Sequence, residues 1–320
     1  MRILTTLGLG LAVGLGGAGQ AAAQKQPVIA VFTKNFTNPA YENFRIGADK
    51  IAKAANARVI HYVPKKPDDV DEQTAQVEEA LTERPDIVLF TPVHDKLMVG
   101  PVKKLNDANI PIVLFTNPLP GNFVTYIGSD DVDLGYKEAL YLFKHMGGKG
   151  SIVVIEGVPA APTNRDRLKG YQKAFAEFPG IKVLASGVGN YSQTVARGVM
   201  AKMLADHPQI DAALVANDSM SLGVLEALKA ANRTTVVMSI NGILEAVKQV
   251  ETGAILATVD FNTFKMACLA TQAALRHLKG EKLPDKVLLP TEIIDKTNYK
   301  EWLVPVADRR CPKWADVVGQ

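Results

Sequence analysis

Short apolar runs of strand length alternate with stretches of helical spacing along almost the whole chain, and this pattern constrains the fold more than any other feature. Residues 28–33, 58–63, 87–90 and 112–115 are strand-like, and most are rich in Val, Ile, Leu and Phe without polar alternation. Strands that are apolar on both faces belong in a parallel sheet covered by helices on both sides. Between them, residues 41–55, 71–83 and 95–109 read as helices; Phe44, Ile46, Ile51 and Ala54 mark the apolar stripe of the first. The pattern restarts with strand-like runs at 151–155, 182–185, 212–215 and 236–239, separated by helical stretches at 165–178, 192–206 and 219–230. Gly147, Gly148 and Gly150 end the helix that precedes this second array. Two arrays of similar size predict an α/β protein of two doubly wound, parallel-sheet, Rossmann-like lobes. The last stretches (257–260, 264–279, 287–289 and 291–294) fit either array by pattern alone.

The chain has 320 residues, and its mean hydropathy of +0.05 is raised mostly by one end. Residues 3–23 carry no charge, follow Arg2, and finish in Ala21-Ala22-Ala23 before the polar Gln24-Lys25-Gln26. This order predicts a secretory signal peptide over residues 1–23, cleaved before Gln24, rather than a membrane anchor. Gly14, Gly16 and Gly19 match a dinucleotide-binding pattern, but they lie inside this segment with no strand before them and carry no function. No later stretch reaches the roughly 20 apolar residues that a bilayer span needs. The net charge is +3, and +2 once Arg2 is removed, which gives no polybasic surface and excludes nucleic acid as an expected partner. Cys268 and Cys311 leave two readings open: a disulfide tying the tail to the body, or one buried and one exposed thiol.

In open α/β sheets, ligands sit beyond the carboxyl ends of the strands. The segments in those positions are 34–41, Thr91-Pro92, Thr116-Asn117-Pro118, 159–167, Asn190-Tyr191, Asn217-Asp218 and Asn241-Gly242. They are dominated by amides and hydroxyls, with aromatic rings and two arginines. Such groups hydrogen-bond a neutral polyhydroxy ligand while rings cover its apolar face. Asn, Asp and Thr at these places also cap helices, so each taken singly has a structural reading. Catalytic readings find little support. The five histidines are scattered, with His94 nearest the strand ends and read as a helix-start residue. There is no Walker loop, G-x-S-x-G elbow or metal-ligand spacing, so no cofactor and no metal are expected.

At these loops the chain resembles the type I periplasmic binding proteins, in particular the ribose/galactose-type sugar-binding components of ABC importers. Asn38-Pro39-Ala40-Tyr41 stands where that family has Asn-Pro and two aromatics. Residues 126–131 with Gly135 are similar to its first crossing between lobes. Arg165, Arg167 and Gly170 resemble its R-x-R-x-x-G segment, and 216–223 its A-x-N-D-x-M-A-x-G segment. Residues 257–260 resemble the strand leading to the second crossing. The resemblance implies a three-segment hinge. Residues 24–128 plus 261–288 would form the amino-terminal lobe and 129–260 plus 289–297 the carboxy-terminal lobe, with 298–320 as an extension. It further implies a non-enzymatic, monomeric periplasmic protein that closes on a sugar, polyol or cyclitol and delivers it to an ABC permease in the inner membrane. A ligand sensor serving a receptor or histidine kinase is the alternative.

By position, the resemblance assigns ligand contacts to Lys34, Asn38, Tyr41, Thr91, Asn117, Arg167, Tyr191, Asn217, Asn241, Asp260 and Phe261. Arg167 would donate charged planar hydrogen bonds and Tyr191 would stack. Replacing Arg167 or Asn217 by alanine is expected to abolish binding without much loss of unliganded stability. The chain departs from many family members in having Thr116-Asn117 and Asn241 where they place aspartates, and Ala40 in place of the first aromatic. A pocket with fewer carboxylates favours a polyol, cyclitol or modified sugar over a common pyranose.

Overall fold

The computed structural model describes residues 25–319; the signal-type segment and its glycine motif lie outside them. The first sheet takes β1 (Val28–Phe32), β2 (Arg58–Tyr62), β3 (Ile87–Phe90), β4 (Ile112–Phe115) and β5 (Thr125–Gly128), linked through α1 (Pro39–Ala54), α2 (Val70–Glu83) and α3 (Val99–Asp107). The chain then enters the second lobe through α4 (Asp131–His145). There follow β6 (Lys149–Glu156), α5 (Pro162–Glu177), β7 (Gly180–Val188), α6 (Gln193–Asp206), β8 (Ala212–Val215), α7 (Asp218–Ala230), β9 (Val236–Asn241), α8 (Leu244–Thr252) and β10 (Ala257–Asp260). Next, α9 (Thr263–Leu278) packs on α1, and β11 (Lys286–Leu288) pairs in parallel with β5. Finally β12 (Ile293–Ile294) pairs antiparallel with β10 in the second sheet.

The two sheets share one order, β2-β1-β3-β4-β5-β11 and β7-β6-β8-β9-β10-β12. The connections reverse direction at β1/β3 and again at β6/β8. At such a switch the loops splay apart and leave a crevice at the carboxyl ends of the strands. The apolar runs are explained by two-sided burial. Ile29 and Val31 of β1 face Phe44 of α1 and Ala267 of α9, while Ala30 and Phe32 face Val77 of α2 and Met98.

The differences from the expected elements have local causes. The third helix begins at Val99, not near residue 95. Residues 95–98 form turns held by His94 Nδ1, which accepts from the Lys96 and Leu97 amides at 3.1 and 3.4 Å. Strand β5 was not expected as a separate strand, and α8 was not expected at all. The first is four residues long and the second nine, stopped by Gly253 at φ 84°. Elements this short give periodicity little to register. Pairing alone decides where the ambiguous last strands go, since a strand's composition does not name its neighbour. Cys268 and Cys311 are joined in a disulfide with 5.6 Å between their Cα atoms.

Candidate binding site between the lobes

The carboxyl ends of both sheets face each other across a narrow cleft with about 30 Å3 of free space. It is lined by Asn38, Ala40, Tyr41, Thr116 and Thr263 from one side and by Thr163, Arg167, Tyr191, Asn217, Asn241 and Phe261 from the other. That is about the space of a single water, well below the roughly 300–1,000 Å3 typical of small-molecule sites, so the two lobes stand nearly closed on each other. A larger depression near Ile210, Thr235 and Leu256 lies at the opposite, amino-terminal end of the second sheet and is open to solvent.

Two helix starts supply asparagines whose side-chain oxygens cap the helix and whose residues line the cleft. Asn38 precedes Pro39 at the first position of α1, and its Oδ1 accepts from the Ala40 amide at 3.0 Å. Asn217 caps α7 in the same way, with Oδ1 accepting from Met220 at 2.9 Å. The Asn217 residue is 1% exposed, and its Nδ2 has no protein partner. A buried donor without an acceptor costs roughly 1–3 kcal/mol, so a ligand oxygen placed there would be strongly favoured. Capping uses only the Oδ1 of the Asn217 amide and leaves its Nδ2 free, so the capping role does not exclude a ligand contact.

Arg167 is the charged centre of the site. Its Nε donates to Asp131 Oδ1 at 2.9 Å and its Nη1 to the Ala216 carbonyl at 2.5 Å. The guanidinium carbon lies 4.9 Å from the Phe261 ring centroid and 6.0 Å from that of Tyr191. Burial alone would lower the Arg167 value, but the Asp131 charge more than restores it and keeps the guanidinium protonated. Behind the pair, burial pushes the Glu138 carboxyl, which accepts from the Tyr171 hydroxyl, well above the usual carboxylate range. The Tyr41 and Tyr191 hydroxyls are likewise raised by burial and remain neutral donors.

The backbone is strained where it lines the cleft. Thr116, Tyr191 and Asn241 have φ of 63°, 55° and 142°, a region that L-residues seldom occupy. Each costs on the order of 1–3 kcal/mol, and such costs concentrate at ligand sites where the surroundings over-determine the geometry.

Of the residues expected from sequence, Asn38, Tyr41, Arg167, Tyr191, Asn217, Asn241 and Phe261 line the cleft. The other four do not, and each is committed elsewhere. Lys34 is 2% exposed with its Nζ 2.8 Å from Asp68. Thr91 pairs its hydroxyl with that of Thr116 at 3.0 Å. Asn117 donates to the Pro92 carbonyl at 3.0 Å. Asp260 accepts from the Asn262 backbone amide at 2.8 Å and from Asn262 Nδ2 at 2.5 Å. Sequence reasoning passed over Ala40, Thr116, Thr163 and Thr263 as contacts, although each borders a residue or loop it did single out. No Asp or Glu lines the cleft among the described residues.

Asp260, buried at the end of β10 next to Phe261, gives the fold a pH signature. Burial pushes its carboxyl up to about 6 from an ordinary value of 3.8, against the Lys265 charge, the Trp302 indole N–H and the Asn262 amide. A raised folded-state value means that the stability it contributes is complete below about pH 4 and lost as pH rises through about 6. The unfolding free energy of the wild type minus that of Asp260→Asn should therefore rise by roughly 3 kcal/mol between about pH 7.5 and about pH 4. A difference that stays flat with pH would show that this carboxylate is not desolvated.

Among the described residues no helix is long and apolar enough to cross a membrane, and no three His, Cys, Asp or Glu converge as a metal site. A model of the periplasmic binding protein domain matches residues 29–282. The ribose import binding protein of Haemophilus influenzae is 27% identical over 297 residues, covering 92% of this chain and all of the relative. The xylitol-binding protein of Mycolicibacterium smegmatis is 31% identical over 300 residues, covering 90% of this chain and 84% of the relative. Among solved structures, an ABC transporter solute-binding protein of Actinobacillus succinogenes with bound D-allose is 28% identical, with a TM-score of 0.82 over 86% of this chain and all of the other. Two mostly parallel sheets of one order, a cleft at their facing carboxyl ends and these likenesses along the chain agree: it belongs to the periplasmic binding protein domain family.

Proposed function

We propose that this protein captures a small neutral polyhydroxy compound (a sugar, polyol or cyclitol) in the interlobe cleft and hands it to an ABC permease in the inner membrane. The family is one of non-enzymatic transport components, and its location is periplasmic. In the proposed cycle a monomer, freed of residues 1–23, closes its lobes on the ligand. Closure requires a ligand that touches both lobes, because only differential contact shifts a two-state equilibrium. The observation that carries this reading is the unpartnered, buried Asn217 Nδ2 beside Arg167, whose guanidinium lies over the Phe261 ring. Hydroxyl oxygens can accept from the amide and the guanidinium while C–H faces lie against the aromatic rings. With no carboxylate on the wall, the site has hydroxyls and amides to meet the ligand's own O–H groups.

The test is a thermal-shift and calorimetric screen of the mature protein against pentoses, hexoses, acyclic polyols, cyclitols, sugar acids and amino acids. Ligand at ~100 Kd stabilises the native state by about 2.7 kcal/mol, enough to move the melting temperature by a few degrees. Polyols or cyclitols should give the larger responses. A response confined to amino acids, or none from any polyhydroxy compound, would sink the reading. In Asn217→Ser the hydroxyl can still cap α7, so unliganded stability should change by less than about 1 kcal/mol. The ligand response should be lost, because the amide donor is gone. If Asn217→Ser binds as the wild type does, Asn217 is a cap and nothing more.

A further inference from the structure

The carboxy-terminal extension does not pack on one lobe. The 3₁₀ turn Tyr299–Trp302 lies against α8, and Trp302 (8% exposed) packs with Val247 and Ile294 of the second lobe. Seven residues on, the chain has changed sides. Lys50 Nζ of α1 donates to the Ala307 and Arg309 carbonyls at 2.9 and 2.6 Å. Cys311 is bonded to Cys268, a fully buried residue of α9. Beyond it, Gln272 of α9 donates to the Pro312 carbonyl at 2.9 Å and accepts from the Trp314 amide at 3.0 Å, and Trp314 is buried with the α1–α9 core. Arg309 braces the crossing, with Nη2 donating to the Trp302 carbonyl at 2.6 Å and Nε to that of Val304 at 2.9 Å.

We propose that this extension is a fourth connection between the lobes, a strap locked to the first lobe by the Cys268–Cys311 disulfide, which restrains opening of the cleft and thereby raises ligand affinity. The covalent ring from residue 268 to 311 starts and ends on the first lobe, yet between its ends it lays β12 and Trp302 onto the second. All strap contacts on both lobes are made together while the cleft is narrow, with the Arg165 side chain of α5 paired to Asp95 across its rim. Rotating the lobes apart must therefore break one set of contacts or stretch the crossing. Apparent affinity is the intrinsic affinity multiplied by the fraction of molecules able to close on ligand, so restricting the open ensemble tightens binding. Disulfides form and persist in the periplasm, so the lock is set after export. The affinity part of the proposal rests on the interlobe cleft being the ligand site; the restraint on opening does not.

The experiment uses the mature chain in three forms: oxidised, reduced with a phosphine, and Cys268→Ser/Cys311→Ser. Small-angle scattering without ligand should give a larger radius of gyration for the reduced and doubly substituted forms. Calorimetry with D-ribose, xylitol and myo-inositol should give, for whichever of them the oxidised form binds, binding weaker by roughly tenfold in the other two forms, as expected if the competent fraction falls from roughly a half to roughly a twentieth. An unchanged radius with a lower melting temperature would overturn the proposal and leave the disulfide a stability staple only. If the double variant does not fold, Trp302→Ala decides, since it frees the strap from the second lobe with the disulfide intact. A larger radius there supports the strap, and an unchanged one overturns it. Because scattering needs no ligand, failure of the ligand reading would leave this arm standing.

Discussion

Replacing Arg167 by alanine is expected to abolish ligand binding and to lower unliganded stability by about 3–5 kcal/mol as well. The second effect corrects the expectation from sequence, which had Arg167 facing ligand alone. In the fold Arg167 is 3% exposed, and Asp131, its partner, is 7% exposed. Truncating the arginine strands that carboxylate in a site with little water to solvate it, and it leaves the Ala216 carbonyl without its donor. Replacing both members together, Arg167→Met with Asp131→Leu, should recover most of the stability, because a buried ion pair is worth little more than apolar side chains of similar size. That double variant should still fail to bind. Chemical denaturation of the single and double variants checks this directly. A single variant as stable as the wild type would mean that the pair is hydrated and the site is open.

Gly135→Ala and Gly170→Ala should each cost about 3 kcal/mol and weaken ligand binding, although neither residue lines the cleft. Helices α4 and α5 cross at these two glycines. A Cβ on Gly135 would stand 2.2 Å from the Arg167 carbonyl oxygen, and one on Gly170 would stand 2.3 Å from that of Val132. Both obstacles are backbone atoms, so only a shift of one whole helix relieves the clash, and that shift moves Arg167 away from Asp131. The control is Gly198→Ala in α6, where nothing lies within 4 Å. It should gain roughly 0.5–1 kcal/mol from helix propensity. Denaturation midpoints and ligand titrations of the three variants check the pattern. Equal effects at all three positions would show that helix propensity, not close packing, governs them.

Much of the fold is legible because burial on both faces writes itself into composition. Runs such as 87–90 and 112–115 contain no polar residue, and that alone places them inside a parallel sheet. The loops at the strand ends were legible for a related reason. Amides and hydroxyls recur where two sets of helix starts converge, and Asn38, Asn217 and Asn241 were found this way. What misled was adjacency. Asn117 follows Thr116 in sequence, yet the left-handed backbone at Thr116 helps to place the threonine on the cleft wall while the asparagine bonds to Pro92. Lys34 and Asp260 carry charge at the expected places, but Asp68 and Asn262 take up their polar groups.

The sequence by itself determined the class of the fold, the end of each sheet where a ligand can sit and the chemical character of the groups there. Periodicity and residue type are local properties, and a single strand or helix start expresses them without reference to the rest of the chain. Only the tertiary structure decided which sheet receives β11 and β12, that Arg167 is bound to Asp131, that Cys268 meets Cys311, and that the tail spans both lobes. Each of these is a pairing between residues far apart in the chain. Its energy depends on desolvation and close approach, which arise only when the two partners are brought together.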